Sequence, residues 1–211
     1  WWTDWSGWLR GHGGKLVAWS TCLDRSMLVA FDAVPLPAEL STYGDHDLAV
    51  LPDGKLVLLS ERDGTRRPWI VDTLGKEKPK AVYLDQMAVE AGASAKGDAL
   101  VVVTATGLLL KSLDSDAPPK RLTMSPADFA PAFRFDDTEV LFTRQTDEGP
   151  KIMSVPVGGG EPREVGAGGL QADPIPGTRD FVYIERSAGT TLPMVWNDAE
   201  GRAKPLSATL P

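Results

Sequence analysis

Cysteine occurs once in 211 residues, at Cys22, and histidine twice, at His12 and His46. A single thiol excludes an internal disulfide and any cysteine-based metal cluster, and two imidazoles exclude a multi-histidine metal centre. No apolar run approaches the roughly 18–20 residues that a helix needs to cross a bilayer. Basic excess is missing as well. The 22 Lys and Arg stand against 29 Asp and Glu, a net charge of −7, which lacks the concentrated positive face that nucleic acid demands. No segment sustains a 3.6-residue apolar period, and the 21 glycines and 17 prolines fall mostly at junctions, which argues against long helices. A chain of this length can still bury a sizeable core without disulfides or a structural metal.

What is present is a repeat. Short apolar runs follow a turn signal at Leu16–Trp19, Leu56–Leu59, Leu100–Val103, Val140–Thr143 and Phe181–Ile184. The polar residues just before them, Lys15, Lys55, Asp98, Glu139 and Asp180, are spaced by 40, 43, 41 and 41 residues. Each run is rich in β-branched or aromatic residues and reads as a buried strand. A second run follows in each unit: Met27–Ala33, Trp69–Leu74, Leu108–Leu113, Ile152–Val157 and Met194–Ala199. An earlier strand precedes the marker, as at Asp47–Leu51 and Ala132–Phe135. A polar strand closes the unit at Lys80–Leu84, Lys120–Met124, Arg163–Val165 and Lys204–Ser207.

Turn chemistry marks the junctions. Pro52-Asp53-Gly54, Lys96-Gly97, Asp136-Asp137-Thr138 and Gly177-Thr178 place left-handed-tolerant residues between the first and second strands. Four short antiparallel strands per unit of this length define a propeller blade, since stacking such sheets around a ring buries both faces and removes most free edges. The sequence therefore predicts an all-β single domain over 1–211, a β-propeller of five four-stranded antiparallel blades of about 41 residues. The blades fall at 1–43, 44–86, 87–126, 127–168 and 169–211.

The stretch Pro131-Ala132-Phe133-Arg134-Phe135-Asp136-Asp137, followed by Val140–Thr143 and Ile152–Val155, resembles the repeat of TolB-type β-propellers. Gly158-Gly159-Gly160-Glu161-Pro162 resembles the glycine-rich turn of that repeat, and Leu51-Pro52-Asp53-Gly54-Lys55 its proline-aspartate-glycine element. The signature is good in the second and fourth units; the first, third and fifth keep the spacing and lose it. The resemblance implies a ring that binds a protein or ligand, placed in the bacterial periplasm or cell envelope. Six blades are common in that family, whereas five units are counted here.

Candidate site residues are the acids near the start of each inner strand: Asp4, Asp45, Asp47, Glu90, Asp128 and Asp173, with His46 between two of them. As a ring they would make a negative channel mouth that attracts cations or basic peptides, and hard oxygen donors so arranged are also a ligand set for Ca²⁺. Taken singly, each is equally a turn cap, and His46 a solvated loop residue. Trp1, Trp2, Trp5 and Trp8 either bind a partner or seal the ring, and Trp69 and Trp196 read as blade-to-blade packing. Cys22 has no basic neighbour but Arg25, and no nucleophile elbow or phosphate loop appears. These features predict a non-enzymatic module with a protein or peptide partner, no nucleic acid, no membrane span and no cofactor beyond that Ca²⁺. The alternative is a carbohydrate-binding propeller or the non-catalytic propeller of a larger hydrolase.

Overall fold

The computed structural model describes residues 46–187 and 190–206. The expected first blade, with Asp4, Cys22 and the tryptophan cluster, and Asp45 just before the first strand, lie outside the described residues. The described chain forms sixteen strands: β1 (His46–Val50), β2 (Leu56–Ser60), β3 (Arg67–Val71), β4 (Lys80–Ala81), β5 (Glu90–Ala93), β6 (Ala99–Thr104), β7 (Gly107–Ser112), β8 (Lys120–Arg121), β9 (Asp128–Phe133), β10 (Glu139–Thr146), β11 (Gly149–Pro156), β12 (Arg163–Gly168), β13 (Leu170–Pro174), β14 (Phe181–Ser187), β15 (Thr190–Asn197) and β16 (Arg202–Pro205). They pair antiparallel in chain order as four sheets of four, β1–β4, β5–β8, β9–β12 and β13–β16. The first strand of each sheet lies beside the first strand of the next, β1 by β5, β5 by β9 and β9 by β13. These are four blades of a propeller, and the fifth expected one falls on undescribed residues.

The apolar runs form the second strands, and their two-residue alternation shows why they read as unbroken. In β6, Leu100 and Val102 pack with Val57, Leu59 and Ala88 toward the first sheet. Val101 and Val103 point the other way and pack with Phe133, Val140, Phe142 and Met153 of the third. In β10, Val140 and Phe142 belong to that cluster, while Leu141 joins Ile152, Val165, Phe181 and Tyr183 against the fourth sheet. A strand buried on both faces has no polar side to show.

Strand bounds differ from the sequence expectation mainly at the third and fourth strands. The third strands start earlier, because Arg67-Pro68, Gly149-Pro150 and Thr190-Thr191 complete the ladder with the second strands. In the first sheet the third strand also ends earlier, at Val71, where the Asp72 carboxylate accepts the amides of Leu74, Lys76 and Glu77 and turns the chain. The fourth strands β4 and β8 shorten to two residues, Lys80–Ala81 and Lys120–Arg121, a charged and abbreviated outer edge that resists pairing with another chain.

Blades meet closely along the inner strands. A Cβ added to Gly92 in β5 would stand 2.8 Å from the Pro131 carbonyl oxygen of β9, so only glycine allows that approach. Gly92→Ala is expected to cost about 1–3 kcal/mol by overpacking. Gly158→Ala, whose methyl would meet nothing within 4 Å, should cost less than about 0.5 kcal/mol. Urea midpoints of the two variants check this, and equal losses would contradict it.

Candidate functional site

The acids expected at the channel mouth separate once the ladders are drawn. Glu90 opens β5 opposite Val103, and Asp128 opens β9 opposite Arg144. Counted from the markers, these partners hold the same position, so Glu90 and Asp128 share one level. Asp173 pairs with Val182 in β14, three positions nearer the turn, roughly 10 Å deeper at a strand's rise. It is 8% exposed and already engaged in a polar interaction. His46 begins β1 opposite Leu59, and Asp47 falls in the irregular step before Leu48. Of the described members of the expected ring, Glu90 and Asp128 thus share one level and Asp173 stands at another. No three His, Cys, Asp or Glu side chains form a metal-holding group among the described residues.

Glu90 and Asp128 are also spoken for. Ala130 sits in β9 with φ of 48° and Gln171 in β13 with φ of 53°, each nine residues before its marker. Left-handed non-glycine residues are uncommon and need support. Here the twist turns their amides toward the preceding blade, where Glu90 Oε2 accepts from Ala130 N at 2.6 Å and Thr143 Oγ1 accepts from Gln171 N at 3.0 Å. Glu90 thus ties two blades together, and Thr143, the last residue of an apolar run, does the same unforeseen. Asp128, with a fully buried carboxylate, takes a two-pronged guanidinium from Arg144, Nε to Oδ1 at 2.6 Å and Nη2 to Oδ2 at 2.9 Å. The bond to Asp128 lifts the pKa of Arg144, whose side chain is 26% exposed.

The opposite end of the blades holds a larger charged cluster that sequence reading missed. Arg134, in the turn after β9, is 1% exposed. Its Nη1 donates to the Arg179 carbonyl, its Nη2 to Asp198 Oδ1 at 3.0 Å, and its Nε lies 2.9 Å from Glu139 Oε2. The guanidinium carbon stands 5.6 Å from the Phe181 ring centroid. Arg179 reaches Asp136, Glu139 (2.8 Å) and Asp198 (3.1 Å), and Arg163 binds Glu139 at 2.8 Å. Three guanidiniums and three carboxylates so join the third sheet to the fourth. An arginine between Phe133 and Phe135 was the sequence signal that this position is buried yet charged.

Trp196 packs across the same junction, as expected. Its ring lies where a Cβ on Gly166 of β12 would stand, 2.2 Å from the nearest ring atom, and it stacks on Phe181 at 6.1 Å. Trp69 packs with Leu58 and Val71 of its own sheet, on the face turned from the second sheet, under the Arg62 guanidinium at 4.8 Å.

Sheets of four antiparallel strands whose inner strands stand side by side, with cores between successive sheets, define the chain as a β-propeller protein. Solved structures agree. A putative TolB from Agrobacterium tumefaciens superposes with a TM-score of 0.63 at 16% identity, over 76% of this chain and 64% of that one. TolB from Acinetobacter baumannii gives 0.60 at 15%, over 78% and 44%. A puromycin-hydrolyzing peptidase from Mycobacterium tuberculosis gives 0.65 at 15%, over 82% and 31%. The likeness is one of fold, and this chain spans less than two thirds of each. No family model and no curated protein matches the sequence. No described helix is long and apolar enough to cross a membrane.

The charged junction carries a pH signature. Burial pushes the Glu139 carboxyl upward, but the hydrogen bond and charge of Arg163, with Arg134 and Arg179, outweigh it and hold the group below its ordinary 4.5. Burial likewise raises Asp136, and Thr138 and Arg179 more than offset it. Stability from this cluster is complete above pH 4.5 and lost as pH falls through the lower folded values. Glu139→Gln should therefore be less stable than the parent at pH 7, with the gap narrowing as pH falls below 4.5. Thermal unfolding across that range measures the gap, and a constant difference would contradict the assignment.

Proposed function

We propose that the chain is a five-bladed, TolB-like propeller in which residues 1–43 supply the first blade. It acts as a non-enzymatic interaction module of the bacterial periplasm or envelope. The partner is a protein or peptide held at the mouth where the inner strands begin. The likeness to two TolB structures over about three quarters of the chain carries this reading. It is supported by what the mouth groups do. Glu90 and Asp128 hold backbone and guanidinium in place, which suits a fixed recognition surface better than a proton-transfer pair. Asp45 and Asp47 would supply negative charge that steers a basic segment toward the channel, and any Ca²⁺ in the channel would bind at the mouth carboxylates.

The second reading, a carbohydrate-binding propeller or the non-catalytic ring of a larger hydrolase, draws on the mycobacterial peptidase, only 31% of which this chain spans. Capture from bacterial envelope extract on the immobilised chain, beside a glycan array, separates the two. A discrete protein whose capture drops about tenfold in Asp45→Asn/Asp47→Asn, roughly 1.4 kcal/mol of binding, is the expected result. Capture indifferent to those changes would remove the mouth as the site, and glycan binding without protein capture would favour the second reading.

A further inference from the structure

The stack of four sheets ends in two faces that no other described sheet covers. On the first sheet, Leu58, Trp69 and Val71 point away from the second sheet, and no residue of another sheet joins their cluster. Leu58 and Val71 are nevertheless buried. On the fourth sheet, Phe181, Tyr183, Met194 and Trp196 face the third sheet. Alternation along the strands therefore turns Val182, Ile184 and Val195 outward, with Val182 directly across the ladder from Val195. All three are half-buried. Asp173 lies on the same face, since it pairs with Val182 and follows Ala172, which packs toward the third sheet. A carboxylate on a bare terminal face would stand in water, yet Asp173 is buried and held by a polar interaction. Both terminal faces thus behave as covered surfaces.

Residues 1–43 match that requirement in length and in kind. They amount to one unit, against marker spacings of 40, 43, 41 and 41 residues, and they end just before β1. Their expected second strand, Leu16-Val17-Ala18-Trp19, has no polar side and needs an apolar neighbour on each face. The stack offers two such faces. A second copy of the chain laid on the fourth sheet would cover that sheet but leave one side of Leu16–Trp19 bare. The phase of the run decides which residue goes where. Leu100 and Val102, Val140 and Phe142, and Phe181 and Tyr183, first and third in their runs, each pack toward the preceding sheet. Val57 and Leu59, Val101 and Val103, and Leu141, second or fourth in theirs, pack toward the following one.

We propose that residues 1–43 close the ring within one chain, with Leu16 and Ala18 set on the fourth sheet at Val182, Ile184 and Val195, and Val17 and Trp19 set on the first at Leu58 and Val71. Asp173 is enclosed in the seam with the fourth sheet. This closure rests on the reading of residues 1–43 as a blade, and it adds that the ring is complete at five. NOE spectroscopy on the isotopically labelled 211-residue chain tests it. Leu16 and Ala18 methyls should show contacts to the methyls of Val182, Ile184 and Val195, and the Val17 methyls and Trp19 ring to those of Leu58 and Val71. An isotope-filtered experiment on a mixture of labelled and unlabelled chain should show none of these contacts between molecules. Contacts of residues 16–19 to the first sheet alone would overturn the closure while leaving the blade reading intact, as an open arc awaiting a further unit would give. Contacts to Val182, Ile184 and Val195 that appear only between molecules would also overturn it, identifying a second copy as the cover. Absence of cross-strand backbone contacts within residues 1–43 would remove the blade reading itself, and the closure with it.

Discussion

Every second strand between two neighbouring sheets must satisfy two cores at once, and the rest of the structure follows from that demand. A side chain such as Val101 serves the junction with the third sheet, while Leu100 and Val102 on either side of it serve the junction with the first. Each buried Val or Leu contributes about 1.5–3 kcal/mol, so the core is spread over successive junctions and not gathered in one centre. A single sheet of this kind is not stable by itself, since it has no face to give to water. Stacking is the remedy, and the inner strands come together as its consequence.

Apolar packing sets which faces meet but leaves their relative height loose, because alternating runs slide with little penalty. Polar contacts between blades remove that freedom. Glu90 on the Ala130 amide, Thr143 on the Gln171 amide and Asp137 on the Ala95 and Lys96 amides each join a side chain of one blade to backbone of the next. The Arg134 cluster does the same with charge at the junction of the third and fourth sheets. A buried arginine left without its carboxylates would be heavily penalised, so that junction tolerates one arrangement only. The Glu90 clamp that fixes blade height also spends one of the acids at the mouth.

This division explains what was legible in the sequence. The second strands announced themselves because both of their faces are buried, and Pro52-Asp53-Gly54 and Asp136-Asp137 marked turns through local backbone demands. Asp137 takes the left-handed conformation, with φ of 56°, that glycine takes at Gly54 and Gly97. The outer strands were placed from their lysines and arginines, though their length was not, since regular ladder pairing covers only two residues in β4 and β8. The candidate site was far less legible. Glu90 and Ala130 are 40 residues apart and Asp128 and Arg144 are 16 apart, and no local pattern says which acid will find a structural partner. Arg134 hid in an apolar stretch because, beside Glu139 across its own hairpin, its partners Arg179 and Asp198 are brought to it only by the stacking of blades.

Neighbouring four-stranded sheets share their second strands' two faces as propeller blades. Methyl-resolved NOE spectroscopy reaches it directly. Methyls of Val101 and Val103 should show contacts to Val140, Phe142 and Met153, while those of Leu100 and Val102 show contacts to Val57 and Leu59 and none to Phe142. Contacts from all four residues to one neighbouring sheet would contradict the account.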